Sequence, residues 1–218
     1  MKILGFDLAA NYSSIAIQAG DEFNGFTQIH DVRARPAWED LFVGIGFSAP
    51  DDFKDLDAIS FAQGPGSYTA LRNIATFLKP IAHLNKIPLI PISSLQAFAL
   101  SAFDFMEDPH QKVHAAIDAQ KGTCYFASYS FKDGIPKPIT KEEVLDKSIL
   151  SQKGADGYCI GNAWKDYSDA ITYLSEVTPH AGSVCRLASL EDLQSNTFLP
   201  SEANPVYLEP LTFRKINE

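Results

Sequence analysis

Residues 58–78 read AISFAQGPGSYTALRNIATFL, and the fold turns on how this stretch is parsed. Ala58 to Ala62 is a short apolar run with the length of a buried strand. It passes into the loop Gln63-Gly64-Pro65-Gly66-Ser67, after which Leu71, Ile74, Ala75, Leu78, Ile81 and Ala82 recur at helical spacing. A strand, a glycine loop and an amphipathic helix in that order form a building unit of α/β folds. Pro80 has no N–H and sits inside the periodic run, so a kink or an early helix end is predicted there.

Working outward, Ile87 to Ile92 reads as the next strand, and Ser93 with Gln96 forms a capping-box start for a helix over Leu95 to Phe105. Upstream, Lys2 to Leu8 and Ser13 to Ala19 read as a hairpin around the turn Ala10-Asn11-Tyr12, with Asp7 at its rim. A third strand is predicted over Phe26 to Val32. Pro36 then opens a helix on which Trp38, Leu41, Phe42 and Ile45 share one stripe. Gly44 and Gly46 each weaken that helix by roughly 1 kcal/mol relative to Ala, so it needs tertiary support.

The second half begins as the first does. Val113 to Ile117 is apolar and ends on Asp118, and Thr123 to Phe131 follows the turn Gln120-Lys121-Gly122 as an alternating strand. Helices are predicted over Lys141 to Leu150, over Trp164 to Leu174, and from Thr178-Pro179 to about Leu187, with a short strand at Gly157 to Ile160. The same order of hairpin, strand and helix thus occurs twice, with an acid at each first turn. Residues 1–108 form a first lobe and 109–218 a second, and the apolar tail Pro205 to Pro210 is expected to pack back on the first. Such two-lobed folds clamp a nucleotide between the lobes.

Composition narrows the function. Of 218 residues 45% are hydrophobic, enough for one large domain or two small lobes, and the formal net charge is -9. An acidic chain has little with which to neutralise phosphates, so any RNA is held mainly by a partner. Cys124, Cys159 and Cys185 are widely spaced and form no CxxC, which predicts neither a disulfide framework nor a zinc site. The opening MKILGFDLAA has no secretory pattern, and no stretch is apolar enough to span a bilayer; the expectation is a cytoplasmic protein.

The glycine loop admits two readings. Gly64 and Gly66 ahead of a helix let backbone N–H groups approach an anion or nucleotide, with Ser67, Thr69 and Arg72 adding donors. It is not a Walker A loop, because no Gly-Lys-Ser/Thr closes it. The plain reading, a tight turn with Ser67 or Thr69 capping the helix and Arg72 in a salt bridge, is favoured by the local sequence. Asp7 and Asp118 can jointly position a divalent cation and a water for phosphoryl transfer. The residues after them, Leu8-Ala9-Ala10 and Ala119-Gln120-Lys121, make poor phosphate-gripping turns, so structural roles are at least as well supported. His110 and His114 have HxxxH spacing, but on a strand an i, i+4 pair lies about 13 Å apart at roughly 3.3 Å per residue, which argues against a metal site. No GxSxG elbow is present.

The run Gln63 to Asn73, the helix after it, and Ile87-PLIPISSLQAFA-Leu100 strongly resemble the TsaB (YeaZ) family of bacterial tRNA threonylcarbamoyladenosine biosynthesis proteins. Further resemblance lies in Met1 to Gln18, Ala116 to Ser130 and Pro200 to Glu209. The resemblance implies an α/β, two-lobed actin-like and Hsp70-like (ribonuclease H-like) fold with duplicated lobes and no catalysis of its own. It implies pairing with a TsaD-type catalytic paralogue and work alongside a TsaE-type ATPase. The product would be threonylcarbamoyl on adenosine 37 of ANN-decoding tRNAs. No cofactor of its own is implied; ATP is used by the complex, tRNA is contacted indirectly, and the isolated chain can form a homodimer.

In that family partner contact runs through two first-lobe helices, which map onto Trp38 to Phe47 and Thr69 to Leu84. The implied interface is Trp38, Leu41, Phe42, Leu71, Ile74, Leu78 and Ile81. The catalytic sibling's metal-binding HxxxH has no counterpart between Met1 and Asp108. Two departures stand out: Arg35-Pro36-Ala37-Trp38 replaces the usual His-Ser pair, and Ala70 replaces the usual Gly. The competing reading is an autonomous magnesium-dependent phosphotransferase or ATPase using Asp7 and Asp118. A glycopeptidase is a third reading, and neither a zinc triad nor a Ser/His/Asp order in the sequence supports it.

Overall fold

The computed structural model describes residues 1–8, 12–30, 38–47, 50–194 and 197–209. The first half builds a five-stranded sheet from β1 (Lys2–Asp7), β2 (Tyr12–Ala19), β3 (Glu22–Ile29), β4 (Ala58–Gly64) and β5 (Leu89–Ser93), in the order β3-β2-β1-β4-β5. The β1, β2 and β3 strands form an antiparallel meander, and β4 and β5 add in parallel. The second half repeats this plan with β6 (Lys112–Asp118), β7 (Thr123–Lys132), β8 (Ile135–Pro138), β10 (Gly157–Ile160) and β11 (Thr172–Tyr173), in the order β8-β7-β6-β10-β11. An extra strand, β9 (Glu143–Asp146), also pairs with β7. The α/β architecture with a duplicated strand plan, expected from the sequence, is the one observed.

Both faces of the first sheet are covered, which is why β1 and β4 read as continuous apolar runs. On one face Leu4, Phe6, Ile59 and Phe61 pack against Leu41 of α1 (Trp38–Gly44) and Ile74 and Leu78 of α2 (Tyr68–Asn85). On the other, Ile3, Ala16, Ala58 and Ile90 meet Val184, Cys185 and Ala188 of α5 (Ala181–Ala188). The helix between the sheets, α3 (Ser94–Ser101), is buried nearly all round. Its Ala97 packs with the first sheet, while Leu95 and Phe98 pack with Val113, Ala127 and Ile160 of the second. Trp164 and Leu150 close the second sheet's far face. Among the described residues no helix is long and apolar enough to cross a membrane.

Several elements differ from the sequence expectation. Helix α2 runs unbroken through Pro80, because the ring lies on the exposed side, where the carbonyl that loses its donor can meet water. The third strand is Glu22–Ile29, earlier than predicted, since β2 turns back directly at Gly20-Asp21. The predicted helix over 141–150 is instead β9, a 3₁₀ turn at Lys147–Ile149 and the single-turn α4 (Leu150–Lys153). Val144 and Leu145 pair with Tyr125 and Cys124, and Asp146 accepts from the Ser148 N–H to start the turn. The predicted helix over 164–174 is a 3₁₀ segment, Asn162–Ala170, followed by β11, whose Thr172 and Tyr173 pair with β10. Helix α3 stops at Ser101, and Phe103–Phe105 is a separate 3₁₀ turn. The final helix starts at Ala181, capped by His180 rather than opened at Thr178-Pro179. Pro36 and the turn residues Ala10 and Asn11 lie outside the described residues.

Two glycines are dictated by close packing. A Cβ on Gly44 would sit 2.3 Å from the Phe26 ring, so the weak helix former is what lets α1 lie on β3. Gly64 has φ +116 and faces the Val206 carbonyl, 2.6 Å from where a Cβ would be. That second contact shows where the tail runs. Leu89 N–H donates to the Phe198 carbonyl at 3.2 Å, Val206 N–H donates to Gln63 O at 2.8 Å, and Ala203 is buried beside α2's core face.

Candidate functional site

The accessible feature with the most character is an open groove along the outer face of α2, with Trp38 of α1 as its other wall. Its floor is Phe77, Pro80 and Ile81, and its polar end is Tyr68, Thr69, Arg72 and Asn73. Trp38 stacks on Phe77 with centroids 4.0 Å apart and planes at 12°, and meets Phe6 edge-on at 6.1 Å. Phe42 joins the same cluster through Phe6, Phe47 and Phe53. Aromatic packing of this kind fixes rotamers and so makes a preformed surface. Beyond the floor, Leu84 is 78% exposed on α2 and Val43 71% exposed on α1.

Four residues of the set expected for the interface lie beneath this surface. Leu41, Leu71, Ile74 and Leu78 are all buried at 1% exposure or less, in the core beneath the groove. Helical periodicity marks the stripe that faces the sheet, and these four belong to it. Trp38, Phe42 and Ile81 are half-buried and sit between core and solvent. Phe77 was not singled out in the sequence; its place at i−4 from Ile81 on the same helix face is the signal that could have found it.

At the glycine loop, Gly64 N–H donates to Ser94 Oγ at 3.0 Å, and Pro65 has no N–H to offer. Ser67 occupies the N-cap position of α2, where its carbonyl receives the Leu71 N–H at 2.9 Å, but its side chain makes no capping bond. Gly66, Ser67 and Thr69 thus form a turn and helix start. Among the described residues Arg72 makes no salt bridge of the kind expected: Nη1 donates to Tyr68 Oη at 3.0 Å, with the guanidinium 5.7 Å from that ring's centroid.

Asp7 and Asp118 occupy equivalent ends of β1 and β6, opposite Ser14 and Cys124. Their surroundings differ. Asp7 is 1% exposed and accepts from Tyr12 Oη at 3.3 Å; burial, then the Asp7 charge, holds the Tyr12 phenol well above its ordinary range. Asp118 is 41% exposed and pairs with Lys147 Nζ at 2.5 Å, which raises the lysine's pKa. Among the described residues no three of His, Cys, Asp and Glu gather as a metal-binding group.

His114 forms a chain that the sequence reading missed: Nδ1 lies 2.8 Å from Ser128 Oγ, and Nε2 lies 3.1 Å from Asp156 Oδ1. The partners come from β7 and the turn before β10, so no sequence order announces them. Serine and histidine are 5% and 3% exposed. A hydroxyl sealed inside a sheet cannot reach a scissile bond, so the chain is a structural polar network, buried at Ser128 and His114 and reaching the surface at Asp156. The thiols are equally unsuited to attack, since burial pushes Cys124 up to about 11 and Cys159 and Cys185 to about 12.

A family model described as "TsaD: tRNA N6-adenosine threonylcarbamoyltransferase" matches residues 27–149. Two proteins named "tRNA threonylcarbamoyladenosine biosynthesis protein TsaB" align along nearly the whole chain. That of Haemophilus influenzae is 26% identical, covering 99% of this chain and 97% of its own length. That of Escherichia coli is 27% identical, covering 95% and 94%. A Pseudomonas aeruginosa structure described as an uncharacterized protein with similarity to peptidase YEAZ superposes with a TM-score of 0.79 at 22% identity, covering 95% of this chain and 99% of that one. At that identity the superposition shows the fold alone.

Proposed function

Because the chain belongs to the tRNA N6-adenosine threonylcarbamoyltransferase family, in its TsaB (YeaZ) branch of tRNA threonylcarbamoyladenosine biosynthesis proteins, we propose that it serves that modification as a non-catalytic subunit. Its work is to bind and support a TsaD-type catalytic paralogue, which transfers threonylcarbamoyl to adenosine 37 of ANN-decoding tRNAs. A TsaE-type ATPase acts with the pair. ATP is consumed by the complex, and tRNA is held through the partner, in keeping with this chain's net charge of -9.

The single observation that carries the reading is the groove: a rigid aromatic and aliphatic floor open to solvent, continued along α2 by the exposed Leu84. Apolar surface of this kind on a soluble domain marks an interaction site, and aromatic anchors set on a packed base are what interface centres are made of. The buried, occupied or sealed state of the nucleophile candidates supports the non-catalytic part. When the paralogue is absent, the same face is open to a second copy of the chain.

The test is capture of the purified TsaD-type paralogue from the same genome by the full chain and by Ile81→Glu and Leu84→Glu. Both substitutions change the groove side of α2 and leave Leu71, Ile74 and Leu78 in place. The expected result is capture weakened more than about tenfold by each, with the thermal midpoint nearly unchanged for the exposed Leu84→Glu and lowered, with the chain still folded, for the half-buried Ile81→Glu. Undiminished capture by both variants overturns the interface. Magnesium-dependent ATP turnover by the pure chain overturns the non-catalytic assignment.

A further inference from the structure

The tail packs against Tyr68, one of the residues that line the groove. Residues 198–209 form neither helix nor strand after α5, yet they are anchored at successive points on the first lobe. Leu89 N–H holds the Phe198 carbonyl, Lys79 Nζ of α2 donates to Ser201 O at 3.3 Å and Asn204 Oδ1 at 2.7 Å, and Gln63 O receives the Val206 N–H. Directly after that last bond, the Tyr207 ring packs on the Tyr68 ring with centroids 4.9 Å apart and planes at 41°. Tyr68 in turn accepts the Arg72 hydrogen bond and lies under its guanidinium. Three side chains, from the tail and one turn of α2, therefore form a single cluster at the polar end of the groove.

The cluster matters because Tyr68 and Arg72 are long and exposed, and such side chains lose rotamer freedom when a partner immobilises them. A ring packed behind Tyr68 removes part of that freedom before binding. Among the described residues Arg72 has no carboxylate partner, so its charge remains available at the groove's end. We propose that Tyr207 is a positioning residue for partner recognition. It holds Tyr68 so that the Arg72 guanidinium is presented to an acidic side chain of the partner, whose apolar face lies on Trp38, Phe77 and Ile81. The occupant is the catalytic paralogue named above, and the inference rests on that reading.

The anchors through Val206, Asn204 and Phe198 are independent of the Tyr207 ring, so removing the ring leaves the segment seated. Titration calorimetry of the full chain with the purified paralogue reads the effect. Tyr207→Ala is expected to weaken binding about five- to tenfold, and Tyr207→Phe, which keeps the ring contact, less than about twofold. In an Arg72→Ala background Tyr207→Ala is expected to cost less than about twofold more, because the ring acts through the guanidinium. Thermal midpoints of all variants should agree. If Ile81→Glu abolishes binding while Tyr207→Ala matches the parent chain, or if the two losses multiply independently, the positioning role is overturned. If the parent chain itself does not bind the paralogue, it is the partner reading that fails.

Discussion

Where the first half links its fourth and fifth strands with the 18-residue α2, the second half links β10 to β11 with a nine-residue 3₁₀ segment, Asn162–Ala170. The strand plans are the same, so the covering layer is where the halves have diverged. A long helix has two useful faces, one for the core and one for the outside. The 3₁₀ segment has little to spare: Ala163 and Trp164 are buried, and the Trp164 indole N–H donates to the His114 carbonyl at 3.1 Å. The groove therefore belongs to the first lobe. The halves also exchange helices. The helix after β5, α3, presents Leu95 and Phe98 to the second sheet, while the helix after β11, α5, lies on the first. Melting one half should remove a cover from the other.

The strongest way to break this picture is to charge the core face of α2. Leu78→Glu buries a carboxylate among Leu4, Ile59 and Phe61 and is expected to cost more than about 4 kcal/mol, enough to unfold a chain of ordinary stability. Trp164→Ala in the second half is expected to cost about 3 to 5 kcal/mol, from the lost volume and the orphaned His114 carbonyl. Chemical denaturation followed by far-UV and near-UV circular dichroism tests both. Coupled halves give coincident transitions in the parent chain and in Trp164→Ala. A separate transition for either half would mean the helix exchange does not bind them into one unit.

That contrast between the faces of α2 also marks the limit of what the sequence discloses. The strand, glycine loop and helix of residues 58–85 were legible because a buried strand and an amphipathic helix each carry a strong periodic signal, and Ser93 caps α3 as its spacing predicts. The same signal does not mark an accessible face, because the most regular apolar stripe is the one the sheet buries. The groove floor, Phe77, Pro80 and Ile81, is a weaker stripe beside it. Strand β9 was illegible for another reason. Lys141 to Leu150 is rich in helix formers, and only its tertiary partner β7 makes Val144 and Leu145 extended. The Asp133-Gly134 turn, both residues at positive φ, is the one local cue in this region that marks a hairpin, β7–β8. Tyr207 has no periodic context, so its contact with Tyr68 exists only in three dimensions.

A smaller effect separates the halves by pH. Burial lowers the pKa of His114 in the second sheet and of His180 at the start of α5, each from an ordinary value of 6.5. Asp156 opposes the burial at His114 while Lys112 adds to it, and Asp104 opposes it at His180. A histidine whose folded pKa is depressed binds fewer protons folded than unfolded. Its contribution is therefore present above about pH 6.5 and is lost as pH falls through the folded pKa. The denaturation midpoint should drop between pH 7.5 and 5.5. His180→Asn keeps a capping acceptor for the Ser183 N–H without titrating there, so it should leave only the second sheet's share of the slope. An unchanged slope in that variant would assign the whole effect to His114.

The smallest expected effect concerns the acids at the two equivalent strand ends. Asp7 is sealed with Tyr12, whereas Asp118 is surface-exposed and held by Lys147, a pair of the kind that contributes about 0 to 1 kcal/mol. Asp118→Asn should therefore shift the denaturation midpoint little, and the assembled complex should keep its tRNA-modifying activity. If the two strand ends instead retained a shared cation-positioning role, the substitution would abolish activity in a folded, partner-bound protein. The acids would then be the one place where the covering layers diverged but the chemistry of the duplicated sheets did not. A lysine already bonded to Asp118 at 2.5 Å argues for the first outcome, because a cation entering there would have to displace it.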